Sequence, residues 1–300
     1  MKIVFLGTPD FAAASLAALV DRGFDVVACV TMPDKPAGRG HHLQASPVKQ
    51  YALEHGIPVL QPERLKDEAF VEQLRSYKAD LQIVVAFRML PEAVWAMPRL
   101  GTFNLHASLL PKYRGAAPIN WAVINGDRET GVTTFFLKHD IDTGDMIMQE
   151  KIAIGEDEDA GSVHDRLMTL GADMVCRTAS LIEKCDGEGV VVPTTPQPHG
   201  MATEAPKLFK ENTRISEEMT AEQVRNFVRG LSPYPAAWID LRIGDHLFEN
   251  TKIFEVSKEN ECSRSRNILL QTADGYVEVK QLQVPGKKRM SADAFLNGLR

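Results

Sequence analysis

The stretch DLQIVVAFRMLPEAVWAMPRLGTFNLHASLLP, residues 80–111, decides the fold class. DLQIVVAF is apolar enough to be a strand buried on both faces, the mark of a central strand in a parallel sheet. PEAVWAM has the length of one short helix. Gly101–Ala107 then reads as the next strand and ends on Ser-Leu-Leu-Pro. A strand, a helix and a strand in so few residues predict a βαβ unit.

Towards the N-terminus the same rhythm continues. Lys2–Leu6 reads as a first strand and not as a signal peptide, whose apolar core would be longer. Asp10 is expected to cap a helix running to Val20, and DVVACVT is a second strand. Ser46 is a helix cap with Pro47 at the first helical position and Gly56 past the end. IPVL is a third strand and residues 66–77 a helix. Towards the C-terminus the pattern predicts a helix at Ala117–Asn125, strands at Val132–Leu137 and Met146–Ile154, and a long helix from Ser162 to Cys185.

The texture then changes. Residues 189–207 are rich in Pro, Gly and Thr and read as a linker. A helix at Thr220–Gly230 follows, then the alternating segments HLFENTKIFEV, RNILLQTA and YVEVKQLQV, and a closing helix capped by Ser291. Short strands separated by turn residues predict a small antiparallel barrel of the OB type. The expected architecture is an α/β protein with a doubly wound, mainly parallel sheet over residues 1–188, the linker 189–207, and a barrel domain over 208–300.

Composition excludes several classes. The 300 residues are 44% hydrophobic and 25% charged, as in an ordinary globular protein. No apolar run approaches the ~18 residues of a membrane span. The four cysteines, Cys29, Cys176, Cys185 and Cys262, have no metal spacing and read as reduced thiols of a cytoplasmic protein. The first turn is GTPD, so a GxGxxG dinucleotide fingerprint is missing where it belongs. Residues 207–300 carry 15 Lys and Arg against 13 Asp and Glu, which leaves the acidic excess in the first two-thirds.

Asn104 and His106 stand at i and i+2 of one strand, so both point to the same face. They lie at the carboxyl end, where open α/β sheets bind ligands. KHDIDTGDM, residues 138–146, offers Asp140, Asp142 and Asp145 as a third group, and spacing alone does not choose among them. Ser108 lacks the frame of a nucleophile elbow, so covalent acyl transfer is disfavoured. An amide that receives an oxyanion, an imidazole that moves a proton and a carboxylate beside it fit direct attack of an amine on an acyl donor. The loop PDKPAGRGHH, residues 33–42, carries Lys35 and Arg39 and could meet phosphates.

These motifs meet a known family. FNLHASLLPKYRGAAPI strongly resembles the Asn-x-His-x-Ser-Leu-Leu-Pro signature of the formyltetrahydrofolate-dependent formyltransferases, and IDTGD resembles their Asp-Thr-Gly motif. FLGTPDFA, PDKPAGRG with SPVK, LSPYPAAW and GKKRMSA are similar to the branch whose acceptor is a charged tRNA. The resemblance covers nearly the whole chain. It implies a formyl transfer from 10-formyltetrahydrofolate to the α-amino group of methionyl initiator tRNA in translation initiation, and no metal; nothing in the sequence demands a partner subunit, and a monomer is expected.

The resemblance assigns polarisation of the formyl oxygen to Asn104, proton transfer to His106 and the ordering of His106 to Asp142. It puts Ser108, Leu109, Leu110 and Pro111 beside the folate. AFRMLP departs from the Tyr-Gly pair found there in many tRNA enzymes and looks closer to the purine-pathway formyltransferase. In that relative the backbone holds the pterin ring, which implies Arg88, Met89 and Leu90 here. The tRNA contacts fall on Lys35, Arg39 and the tail residues Lys287, Lys288 and Arg289. A formyltransferase for a small amine is the rival reading.

Overall fold

The computed structural model describes residues 1–37, 42–258 and 267–299. The chain forms two compact units that do not follow a single cut. One contains Met1–Arg114, Gly131–Lys151 and Asp165–Thr203; the other contains Gly115–Thr130, Ile152–His164 and Glu204–Arg300.

The first unit is built on a seven-stranded sheet. Its order is Met146–Ala153, Glu129–Phe136, Thr102–His106, Leu81–Val85, Lys2–Gly7, Asp25–Val30 and Val59–Leu60. All five residues of Leu81–Val85 are buried, as the apolar run requires. Parallel pairing joins Lys2–Gly7 to both Asp25–Val30 and Leu81–Val85, and Leu81–Val85 to Thr102–His106. Beyond that, Glu129–Phe136 runs antiparallel, with His106 opposite Thr133 and Asn104 opposite Phe135. Val4, Leu6, Val30, Phe70, Leu74, Val84 and Val94 share one core on this sheet.

Several helix starts follow local chemistry. The Ser46 hydroxyl accepts from Lys49 N at 3.2 Å and begins Pro47–Glu54. Asp67 begins Glu68–Ser76 in the same way. Asp10 corrects the expectation: Pro9 occupies the cap position, and Asp10 is the first helical residue of Asp10–Asp21. Its carboxylate accepts from Phe11 N at 2.9 Å, within the first turn, where a negative charge suits the helix end. The long helix spans Ala160–Glu188.

The second unit holds a five-stranded antiparallel sheet. Ala237–Ile243, His246–Val256, Tyr276–Gln283 and Leu269–Gln271 lie side by side, and Met290–Ser291 pairs with Tyr276–Gln283. Register shifts at Ile239/Leu241 and Ile253/Glu255 curl it as a half-barrel. The helix Ala221–Leu231 starts with a full capping box between Thr220 and Gln223 and buries Val224, Phe227, Val228 and Leu231 with the sheet. The short helix Pro118–Ile124 lies against it at Gly230, where a Cβ would stand 2.8 Å from Ile124 N.

The segment expected as a linker is only partly one. Thr195 and Met146 exchange two backbone hydrogen bonds of 2.8 Å, and Gln197 is buried. The 33–42 loop holds strand residues that its composition did not announce: Lys35–Ala37 pairs antiparallel with His42–Gln44. Among the described residues, no helix is long and apolar enough to cross a membrane.

Candidate active site

Thr102–His106 ends with His106 only 6% exposed and Asn104 half-buried. Strand alternation puts them on one face. The imidazole is held from two sides. Its Nε2 lies 2.8 Å from the Tyr113 carbonyl oxygen, which can only accept, so Nε2 carries a proton. The neutral ring therefore keeps its lone pair on Nδ1. That nitrogen lies 3.7 Å from Asp142 Oδ2. A proton taken up at Nδ1 would place the positive charge of the imidazolium opposite a carboxylate, away from bulk water, where the attraction is stronger than in solution.

Both groups that face His106 come from backbone in the left-handed region. Tyr113 has φ +61° and Asp142 φ +53°. Each such residue costs about 1 kcal/mol or more and persists only where surrounding bonds enforce it. Tyr113 N donates to Thr203 Oγ1 at 2.9 Å, and Arg114 N donates to the Thr203 carbonyl at 2.9 Å. In the Asp142 turn the Thr143 hydroxyl donates to the Asp140 carbonyl at 3.0 Å, and Lys138 pairs with Asp145 at 2.9 Å. Of the three acids in this run, the structure brings Asp142 to His106. Gly144 is obligatory: a Cβ there would overlap the Phe136 carbonyl oxygen.

The Asn104 amide makes no side-chain hydrogen bond among the described residues, and so has donors to offer a ligand. Ser108 is buried, and its hydroxyl donates to the Lys112 carbonyl at 2.6 Å, closing the turn after the strand. The Thr133 hydroxyl donates to the Ser108 carbonyl at 2.7 Å and accepts from Leu110 N at 3.2 Å. Gln149 Nε2 reaches the Leu110 carbonyl at 3.0 Å. Leu110 and Pro111 are buried and Leu109 is half-buried, so this lip is shaped by backbone.

Arg88 turns its guanidinium to the carbonyls of Glu63 and Pro62, at 2.9 and 2.5 Å. Met89 is 69% exposed and Leu90 is buried. At the base of the 33–42 loop, Lys49 Nζ lies 2.5 Å from Asp34 Oδ2 and 2.8 Å from Gln61 Oε1. Gln61 in turn donates to Asp34 Oδ1 at 2.8 Å. Hydrogen bonds from Lys49 and Gln61 hold the Asp34 carboxyl below its usual range. Lys35 lies in the hairpin strand; Arg39 lies outside the described residues. In the second unit, Lys287, Lys288 and Arg289 are exposed, and Arg289 also donates to Gln281 Oε1 at 2.7 Å and covers the Phe254 ring at 4.5 Å.

Tyr113, Thr133, Gln149, Gln197 and Thr203 were not singled out from sequence. They act on backbone groups or through them, and such contacts leave no motif. The local cue at Tyr113 is Gly115 two residues on, a residue that suits a turn.

Residues 1–178 match the model of the family described as formyl transferase, and residues 207–300 match the formyl transferase C-terminal domain. The methionyl-tRNA formyltransferase of Bacteroides thetaiotaomicron is 54% identical, covering 100% of this chain and 96% of its own. That of Flavobacterium johnsoniae is 47% identical, covering 100% and 96%. Among solved structures, an N-formyltransferase from Helicobacter canadensis, crystallised with folinic acid and dTDP-3-aminofucose, superposes with a TM-score of 0.69. It is 19% identical, over 94% of this chain and 100% of that one, and speaks for the fold. The chain belongs to the formyl transferase family, and within it to the methionyl-tRNA formyltransferases. It is an enzyme of formyl transfer.

Proposed function

We propose that the chain moves the formyl group of 10-formyltetrahydrofolate to the α-amino group of methionyl initiator tRNA by direct attack of the amine. The observation that carries this reading is the setting of His106. One ring nitrogen is tied to the Tyr113 carbonyl, and the other faces Asp142 at 3.7 Å. An unengaged amide, Asn104, stands two residues away on the same strand face.

The amine nitrogen bonds to the formyl carbon, and the carbonyl electrons move to oxygen. The Asn104 amide donates to that oxyanion; one such donor is worth on the order of 3 kcal/mol. The attacking nitrogen becomes positive and passes its proton to His106 Nδ1, with the Asp142 carboxylate opposite the imidazolium. Collapse restores the carbonyl and breaks the bond to N10 of the folate, which receives the proton. The three groups suffice for these transfers without a metal. The backbone at Arg88, Met89 and Leu90 and the lip Ser108–Pro111 hold the folate. Lys35, Arg39, Lys287, Lys288 and Arg289 meet the tRNA. Catalysis belongs to the first unit, in which Asp165–Thr203 packs with Met1–Arg114, and tRNA binding to residues 208–300, in a single-chain cytoplasmic enzyme.

The test is acceptor choice. Purified chain with 10-formyltetrahydrofolate is offered charged initiator tRNA, glycinamide ribonucleotide or an amino-sugar nucleotide. Turnover with the charged tRNA and none with the small amines is expected. Turnover with a small amine and none with tRNA would overturn the assignment of the acceptor.

A further inference from the structure

Between Gly189 and Thr203 the chain reads as a connector, yet it carries a buried amide, Gln197, at 4% exposure. That amide is used at both ends. Nε2 donates to the backbone carbonyls of Asp142 and Gly144, each at 2.8 Å. Oε1 accepts from the Arg114 guanidinium, at 2.6 Å from Nη2 and 3.2 Å from Nε. Two residues earlier, Thr195 is paired with Met146. A buried amide with both ends matched is stabilising, whereas one left unmatched is costly, so Gln197 specifies one arrangement of what surrounds it.

The turn it grips holds its shape against local preference. Asp142 is left-handed, and Gly144 lies hard against Phe136. The direction of the Asp142 carboxylate follows from the backbone on which it stands. A turn allowed to relax by about 1 Å would withdraw that carboxylate from His106.

We propose that Gln197 is a positioning residue for formyl transfer, clamping the 142–144 turn so that Asp142 faces His106. It acts through Asp142 and touches no reacting atom, and the inference rests on the reading of Asp142 given above. The side-chain chemistry is specific. Glutamate would keep the bond to Arg114 but oppose two carbonyl oxygens with acceptors only. Methionine would fill the volume with neither donor nor acceptor.

The experiment is a double-mutant cycle on the full chain, with kcat and both KM values measured well below the melting transition of every variant. Gln197→Met should lower kcat by about 10- to 100-fold and change each KM by less than about threefold, the signature of a misplaced catalytic group. In an Asp142→Asn background the same substitution should cost less than about twofold more, because the group it acts through is already lost. Penalties that multiply, or a raised KM with kcat kept, would overturn the role. Where Gln197→Met does not fold, Gln197→Glu serves the same cycle. An Asp142→Asn enzyme as fast as the parent would remove the reading of Asp142 and this role together. A crippled Asp142→Asn beside an unimpaired Gln197 variant would remove the role of Gln197 alone.

Discussion

Asn104 and His106 differ in what they owe the fold. His106 is locked by the Tyr113 carbonyl, while the Asn104 amide has no hydrogen bond of its own to lose among the described residues. Replacing Asn104 with Ala should therefore leave the melting temperature almost unchanged. It should lower kcat by about 10²- to 10³-fold, the loss expected for one oxyanion donor. Steady-state kinetics beside a thermal melt check both halves, and a rate close to that of the parent would deny Asn104 its role. The thiols behave oppositely, as groups the fold withdraws from chemistry. Burial pushes the Cys29 thiol up to about 12 and Cys176 up to about 11. At pH 8 neither should be alkylated by iodoacetamide until denaturant is added, as peptide mass spectrometry would show; rapid native labelling would contradict the burial.

Elements meet where a residue lets them. At Gly230 a Cβ would lie 2.5 Å from Ile124 Cγ1 and 2.8 Å from Ile124 N. The Asn120 amide also donates to the Gly230 carbonyl at 2.8 Å. Alanine would gain about 1 kcal/mol of helix propensity. The clash with a backbone atom outweighs this, since overpacking costs about 1–3 kcal/mol. Gly230→Ala should thus lower the melting temperature; a rise would show that the two helices part freely. A second joint ties the first strand to its neighbours. Asp80 accepts from Lys2 N and from Arg99 Nε, both at 2.8 Å. These bonds, Lys2 first, hold its carboxyl below the usual range. A carboxyl depressed in the folded state contributes stability that is whole above the unfolded value near about 4. It is lost as pH falls through the depressed folded value. Asp80→Asn should destabilise at pH 7 and cost progressively less in acid below about pH 4, as denaturant melts at several pH values would reveal. An unchanging penalty down to pH 2 would refute it.

At the scale of the whole molecule, charge is divided, with the basic excess confined to residues 207–300. Lys287 and Lys288 are exposed, so they can release counterions from a polyanion, while Arg289 is engaged with Gln281 and Phe254. Replacing both lysines with Ala should weaken tRNA binding and leave the KM for folate unchanged. The slope of log affinity against log salt should flatten by about 1 for each phosphate no longer neutralised. A parallel line, merely displaced, would put the tRNA elsewhere.

Much of the fold was readable because it depends on local rules. An unbroken apolar run marked the buried strand Leu81–Val85, and Ser46 and Ser291 cap helices as their chemistry requires. Asn104 and His106 could be paired on one face by strand alternation alone. Asp142 could not be separated from Asp140 and Asp145 by spacing; only its left-handed turn, folded against the adjacent strand, carries one of the three carboxylates to the imidazole. Nor could composition show that Gln197 is bound at both ends, because its donors meet backbone carbonyls, which every residue possesses, and its acceptor meets Arg114, 83 residues away in sequence. The order of residues thus determined the elements and the chemical groups at their ends, through short-range preferences written in side chains. The tertiary structure decided which groups meet, since distance in space between remote segments depends on packing and has no local signature.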